Sequence, residues 1–222
     1  MRPRLLLLLA VLVVGGCATA TPGGTHNPSS SSTVPSPEAS PASAPPSSAA
    51  AAEDGGEYRV TYGFAVPSNL VTINHDVNPP PLPTLIGVYV GNHPEGNPAY
   101  QRISFYFRTG FPTYRFQYVA QVISDGRGDV IPLPGNSFLS IVFTTAWAHN
   151  DSGQSTVAQA APQNIGFTNL RGYAPAGDFE GHVSYGLGIQ VAPNSDQALP
   201  IRAGELKRPD GTFVVHFDVQ TA

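Results

Sequence analysis

Apolar side chains recur at every second position through most of the chain's second half and beyond. Tyr58, Val60, Tyr62, Phe64 and Val66 form one such series, Ile103, Phe105 and Phe107 a second, and Tyr114, Phe116 and Tyr118 a third. A period of two places one row of side chains on each face of an extended strand, so each series predicts a β-strand with one face in a core. Phe138, Ser140 and Val142 interleave with Leu139, Ile141 and Phe143, which predicts a central strand apolar on both faces. Near the end, Phe213, Val215, Phe217 and Val219 alternate with Val214, His216 and Asp218. Asp125-Gly126, Pro132, Pro134 and Asp210-Gly211 place turns between these runs. Helical periodicity is scarce: only the stretch from Thr145 through Asn150 and part of Ser155 to Ala161 could coil into a helical turn. Seven or more short strands at this spacing predict an all-β fold, a two-sheet antiparallel β-sandwich with at most one or two short helices.

The alternation stops upstream of Glu57. From Ala18 to Gly56 the chain is built of Ser, Pro, Ala, Thr and Gly, with no aromatic residue and almost no charge. Such a segment cannot bury enough surface to offset its ordering entropy, and its prolines bias it toward an extended chain of about 3.1 Å per residue. It is expected to be a disordered tether. Before it, Arg2 and Arg4 precede the apolar stretch Leu5 to Val14, which is export-signal grammar and too short to span a bilayer. The one cysteine of the chain, Cys17, follows Gly15 and Gly16. Val14-Gly15-Gly16-Cys17 resembles the bacterial lipobox, which implies cleavage before Cys17 and a lipidated thiol holding the chain in the membrane. The expected organisation is a signal peptide over 1–16, a tether with lipidated Cys17 over 17–56, and a β domain over 57–222. The expected location is the outer face of the cell membrane.

Composition narrows the function. With 11 Lys and Arg against 15 Asp and Glu, the chain has no basic surplus for phosphates, so no nucleic-acid partner is expected. A single cysteine excludes internal disulfides and CxxC sites. No Gly-x-Ser-x-Gly or HExxH pattern is present, and His75, His93, His149, His182 and His216 are scattered, each read as a surface or capping residue. Neither a cofactor nor a metal is expected, and the protein is read as non-enzymatic. Only a spatial convergence of distant histidines with Asp178 would support a metal-dependent hydrolase.

Asp178, Glu180 and His182 fall at i, i+2 and i+4, which on one strand would set two carboxylates and an imidazole on one face, with Phe179 and Val183 buried behind. That row suits sugar hydroxyls or a hard cation, and equally a solvated strand face. Tyr185-Gly186-Leu187-Gly188 combines an aromatic platform with glycines that admit a ligand or another backbone. Arg102 is expected to pair with Asp178 or Glu180. Trp147 lies in the least strand-like part of the domain, either lining a sugar groove or filling the core. Arg127-Gly128-Asp129 spells an integrin-recognised tripeptide but sits in an ordinary turn composition.

Several blocks, in order, resemble the AMIN-like domain of lipoproteins from high-GC Gram-positive bacteria, which is related to the AMIN domain of cell-wall amidases. They are Gly91-Asn92-His93, Tyr100 to Phe105, Tyr114 to Val119, Phe138 to Phe143, Gly177 to Ile189, Pro200-Ile201-Arg202 and Val214 to Val219, spanning about Leu82 to Val219. The first block is stretched by Pro94 to Ala99, and Asn194 to Leu199 adds a polar loop. The resemblance implies a non-catalytic module that binds peptidoglycan or cell-wall glycan, or alternatively docks an envelope protein.

Overall fold

The computed structural model describes residues 56–77, 80–193 and 198–221. Cys17, the signal sequence, nearly all of the tether and the first four residues of the Asn194 to Leu199 loop lie outside the described residues. Eleven strands make up the described chain: β1 (Glu57–Ala65), β2 (Val71–Ile73), β3 (Thr84–His93), β4 (Tyr100–Arg108), β5 (Thr113–Val119), β6 (Ser137–Thr144), β7 (Gln159–Ala160), β8 (Leu170–Phe179), β9 (His182–Ile189), β10 (Ile201–Lys207) and β11 (Phe213–Gln220). Six form one sheet in the order β1-β10-β11-β4-β3-β7, and five form the other in the order β2-β5-β6-β9-β8. Every pairing is antiparallel except β3 with the two-residue β7.

The alternating series become strands because their apolar rows meet across the gap between the sheets. Phe105 of the first sheet packs against Phe143 and Tyr185 of the second at ring separations of 5.0 and 4.9 Å. Phe217 packs edge-on against Phe116 and Tyr114 at 5.1 and 5.9 Å. Such edge-to-face packing adds to burial of the rings. As the doubly apolar pattern predicts, β6 is the middle strand of its sheet. The strands ahead of the AMIN-like blocks also belong to the sandwich: β1 pairs with β10, and β2 pairs with β5.

Of the two stretches that could coil, neither forms a helix among the described residues, at 145–150 or 155–161. Backbone pairing wins there: Leu85 N–H donates to the Trp147 carbonyl, Trp147 N–H to the Pro83 carbonyl, and Ala161 N–H to the Val88 carbonyl, so the segment runs extended along β3. Histidines are not uniformly superficial either, since His93 and His216 are buried. His216 lies flat against Tyr58, ring centroids 5.4 Å apart, above Gly204, where any Cβ would meet His216 Nε2.

The outer face of the second sheet carries the segment 120–136 as a cover, and the glycines of β8 and β9 make room for it. A Cβ on Gly186 would lie 2.7 Å from Val122, and one on Gly188 would run into the Pro134 carbonyl. Of the two roles glycine can play in Tyr185-Gly186-Leu187-Gly188, these positions admit the chain's own backbone and side chains.

Candidate functional site

A cavity of about 710 Å³ opens beside the edge strands β7 and β8. Tyr173 and Tyr185 line it from β8 and β9, Val88 from β3, Asp125 and Arg127 from the 120–136 cover, and His149 and Ser155 from the loop after β6. That loop is held by Asn150, whose Oδ1 accepts the N–H groups of Ser152 and Gln154 at 3.0 and 2.9 Å. Its extended course beside β3 carries Trp147 and His149 to the end of β8.

There the Asp178 carboxylate accepts from His149 Nδ1 at 2.7 Å through Oδ2 and from Ala148 N–H at 3.2 Å through Oδ1. Because a carboxylate only accepts, this bond sets His149 with its proton on Nδ1 and leaves Nε2 for another partner. Trp147 stacks on the His149 ring at 5.9 Å between centroids. A second concavity, about 500 Å³, adjoins the cavity and shares His149, Gly153 and Asp178 with it; Trp147, Phe179, Glu180 and Gly181 complete its lining. A third, about 190 Å³, continues on the far side of Phe179 between Arg115, Glu180 and His182.

The single acidic strand face expected from Asp178, Glu180 and His182 does not exist. Asp178 is in β8 and His182 in β9, while Glu180 and Gly181, with φ of 48° and 75°, form the two-residue turn between them. Two left-handed residues in succession are what a tight hairpin requires, and Glu-Gly flanked by strand patterns was the signal available in the sequence. The turn also overturns the burial of Phe179, which is 66% exposed at the hairpin tip, while Val183 is buried as expected. His182 is exposed, with Nδ1 3.1 Å from the Glu180 carbonyl.

Arg102 is elsewhere. It lies on the outer face of the first sheet, where Nε and Nη2 grip the fully buried Asp218 at 2.6 and 3.0 Å, and Arg202 grips the same carboxylate at 2.8 Å. Its expected partners Asp178 and Glu180 belong to the other sheet, so that pairing is corrected. Strand register decides it, because Arg102, Asp218 and Arg202 are direct neighbours across β4, β11 and β10. Trp147 is half-buried and lines the second concavity. Tyr185 is not an exposed platform: it is 5% exposed, and burial first, then the neighbouring Tyr173 and Asp178, raise its hydroxyl above the ordinary tyrosine value. The structure thus gathers Asp178, Glu180, Tyr185 and Trp147 around one edge, leaves His182 at its margin and removes Arg102.

His149 is the residue that sequence reasoning underrated, since nothing local to it announces a carboxylate 29 positions later. Among the described histidines, it alone contacts Asp178; His75 bonds Glu205 and His93 bonds Glu95. Among the described residues, no three His, Cys, Asp or Glu side chains gather as a metal-binding group.

No curated protein and no solved structure matches the chain. A family model, the AMIN-like domain, matches residues 83–220, well over half of the chain, and its span begins just before β3 and ends with β11. The chain belongs to the AMIN-like domain family.

Proposed function

We propose that this protein is a lipid-anchored envelope protein whose β domain binds cell-wall glycan without catalysis. Membership of the AMIN-like family supports a cell-wall-related binding module. The observation that carries the glycan reading is the groove beside the end of β8, where Trp147 and the exposed Phe179 flank Asp178 and Glu180. Sugar rings present an apolar face that stacks on aromatics and hydroxyls that donate to carboxylates, and this groove offers both. Cys17, at the end of a lipobox-like sequence, supports anchoring through acyl chains, and the Ser, Pro and Ala-rich tether supports reach from the membrane into the wall.

Sedimentation of the purified full chain with insoluble peptidoglycan tests this reading. Wild type is expected to pellet, and a Trp147→Ala, Phe179→Ala double variant is expected to stay in solution with its unfolding midpoint little changed. A double variant that pellets like wild type would remove the groove from the reading, and a wild type that stays in solution would remove glycan binding. The second reading, docking of an envelope protein, is favoured by β1, an edge strand on which Tyr58 and Val60 are 49% and 47% exposed.

A further inference from the structure

The 710 Å³ cavity contains a polar group that the fold does not use. Tyr185 is 95% removed from solvent and lines the cavity, and among the described residues its hydroxyl has no hydrogen-bond partner. Its neighbour Tyr173 is different, since that hydroxyl donates to the Ala161 carbonyl. Tyr118, similarly shielded, donates to the Leu199 carbonyl at 2.8 Å, and Tyr114 donates to Glu205 at 3.0 Å. The hydroxyls of those three tyrosines are thus taken up by the protein, which offsets the cost of desolvating them, whereas that of Tyr185 keeps its access to the cavity. An unpartnered hydroxyl at a cavity is a group held in reserve for something that enters.

The rest of the lining describes what that is. Val88, Val157 and Ala160 supply apolar wall, and Asp178 supplies an acceptor whose two oxygens, each already holding one protein N–H, retain lone pairs. A donor hydroxyl, a carboxylate acceptor and apolar wall together match a group that has a carbonyl, an N–H and a methyl. Pockets of about 300 to 1,000 Å³ are of ligand size, so there is room for the sugar ring that carries such a group. A primary ammonium fits less well, because the apolar wall would strip its water.

We infer that this cavity seats the acetamido group of an N-acetylhexosamine, its carbonyl accepting from the Tyr185 hydroxyl, its N–H donating to Asp178 and its methyl resting on Val88, Val157 and Ala160. The inference rests on the glycan reading above and adds the chemical group that the site selects. It also assigns Tyr185 as a specificity residue, a role distinct from that of the groove aromatics.

The test is calorimetric titration of the purified full chain with two probes, a tetramer of N-acetylglucosamine and the corresponding fully de-N-acetylated glucosamine tetramer, at neutral pH. Wild type is expected to prefer the acetylated tetramer by about tenfold or more, and Tyr185→Phe is expected to weaken that binding about five- to tenfold. Phenylalanine fills the same space and removes only the unused hydroxyl, so Tyr185→Phe should unfold at or above the wild-type temperature. Equal affinity for the two tetramers, or unchanged binding by Tyr185→Phe, overturns the acetamido assignment and leaves glycan binding standing. Sedimentation with peptidoglycan but no affinity for either tetramer has the same effect. Failure of wild type to bind either tetramer or peptidoglycan overturns both readings.

Discussion

Asp218 is the most consequential single residue outside the groove. Its carboxylate is fully buried and is shared by Arg102 and Arg202, whose side chains are 11% and 21% exposed. Burial alone would raise its pKa, but the Arg102 hydrogen bonds, with the nearby charges of both arginines, hold it below the ordinary value. Arg202 in turn lies over the rings of Phe64 and Tyr100 at 4.5 and 4.7 Å, so the charges are enclosed by aromatic surface. Removing the shared partner leaves two half-buried guanidinium groups without a counter-ion. Asp218→Ala is therefore expected to cost about 3–5 kcal/mol in urea unfolding. Arg202→Ala is expected to cost distinctly less, because Arg102 still neutralises Asp218. Equal losses for the two variants would contradict the shared-carboxylate account.

Among the elements, the β8–β9 hairpin sets the site and the 120–136 cover holds the hairpin. Asp125 is the link, accepting the Ser184 hydroxyl through Oδ2 at 2.6 Å and lying where a Cβ on Gly177 would have to go. The cover's own turn, Asp125 to Gly128, presents Arg127-Gly128-Asp129 with Arg127 and Asp129 paired to each other at 3.2 Å, an exposed contact of small energetic weight. Close approach of the cover depends on absent side chains in β9. Gly186→Ala meets side-chain methyls of Val122 and Leu133 and is expected to cost about 1–3 kcal/mol. Gly188→Ala meets the Pro134 backbone carbonyl, which cannot rotate away, so its thermal midpoint should fall further than that of Gly186→Ala. A reversed order would mean that the cover is not seated on the β9 glycines.

For the molecule as a whole, three buried groups make stability depend on pH with one sign. Burial holds His216 down to about 3 from an ordinary 6.5. Below about pH 6.5 the unfolded chain takes up a proton that the folded chain refuses, so stability declines steadily from there toward pH 3. Glu205 is buried, which alone would raise it, yet hydrogen bonds with His75, Arg59 and Tyr114 leave it below its ordinary value. Asp218 is lowered likewise. Both carboxylates contribute stability that is present above their ordinary values and is lost as pH falls through their folded-state values. The urea midpoint is thus expected to fall from pH 7 to pH 5, before any carboxylate matters much. His216→Phe, which keeps a ring against Tyr58, is expected to flatten that upper part of the profile and leave the steeper loss below pH 4.5. A flat wild-type profile between pH 7 and 5 would contradict the buried neutral imidazole.

What the sequence determined by itself was everything carried by short-range periodicity. Alternation of large apolar residues with small or polar ones specifies strands and the side each residue faces, so the two-sheet sandwich, the central place of β6 and the inward row of β11 were legible from Phe138 to Phe143 and Phe213 to Val219. The family was legible as well, because it resides in the order of those same blocks. Tertiary structure decided which charges meet. Asp178 joins His149 rather than Arg102, and Asp218 takes both arginines, because partners across a sheet or between a loop and a strand end are chosen by register and chain path over dozens of residues. It also decided the hairpin tip, where two left-handed residues turn an apparent strand back on itself and expose Phe179. Last, it set apart one tyrosine: Tyr114, Tyr118, Tyr173 and Tyr185 look alike in sequence, and only the packing around each hydroxyl leaves that of Tyr185 unused.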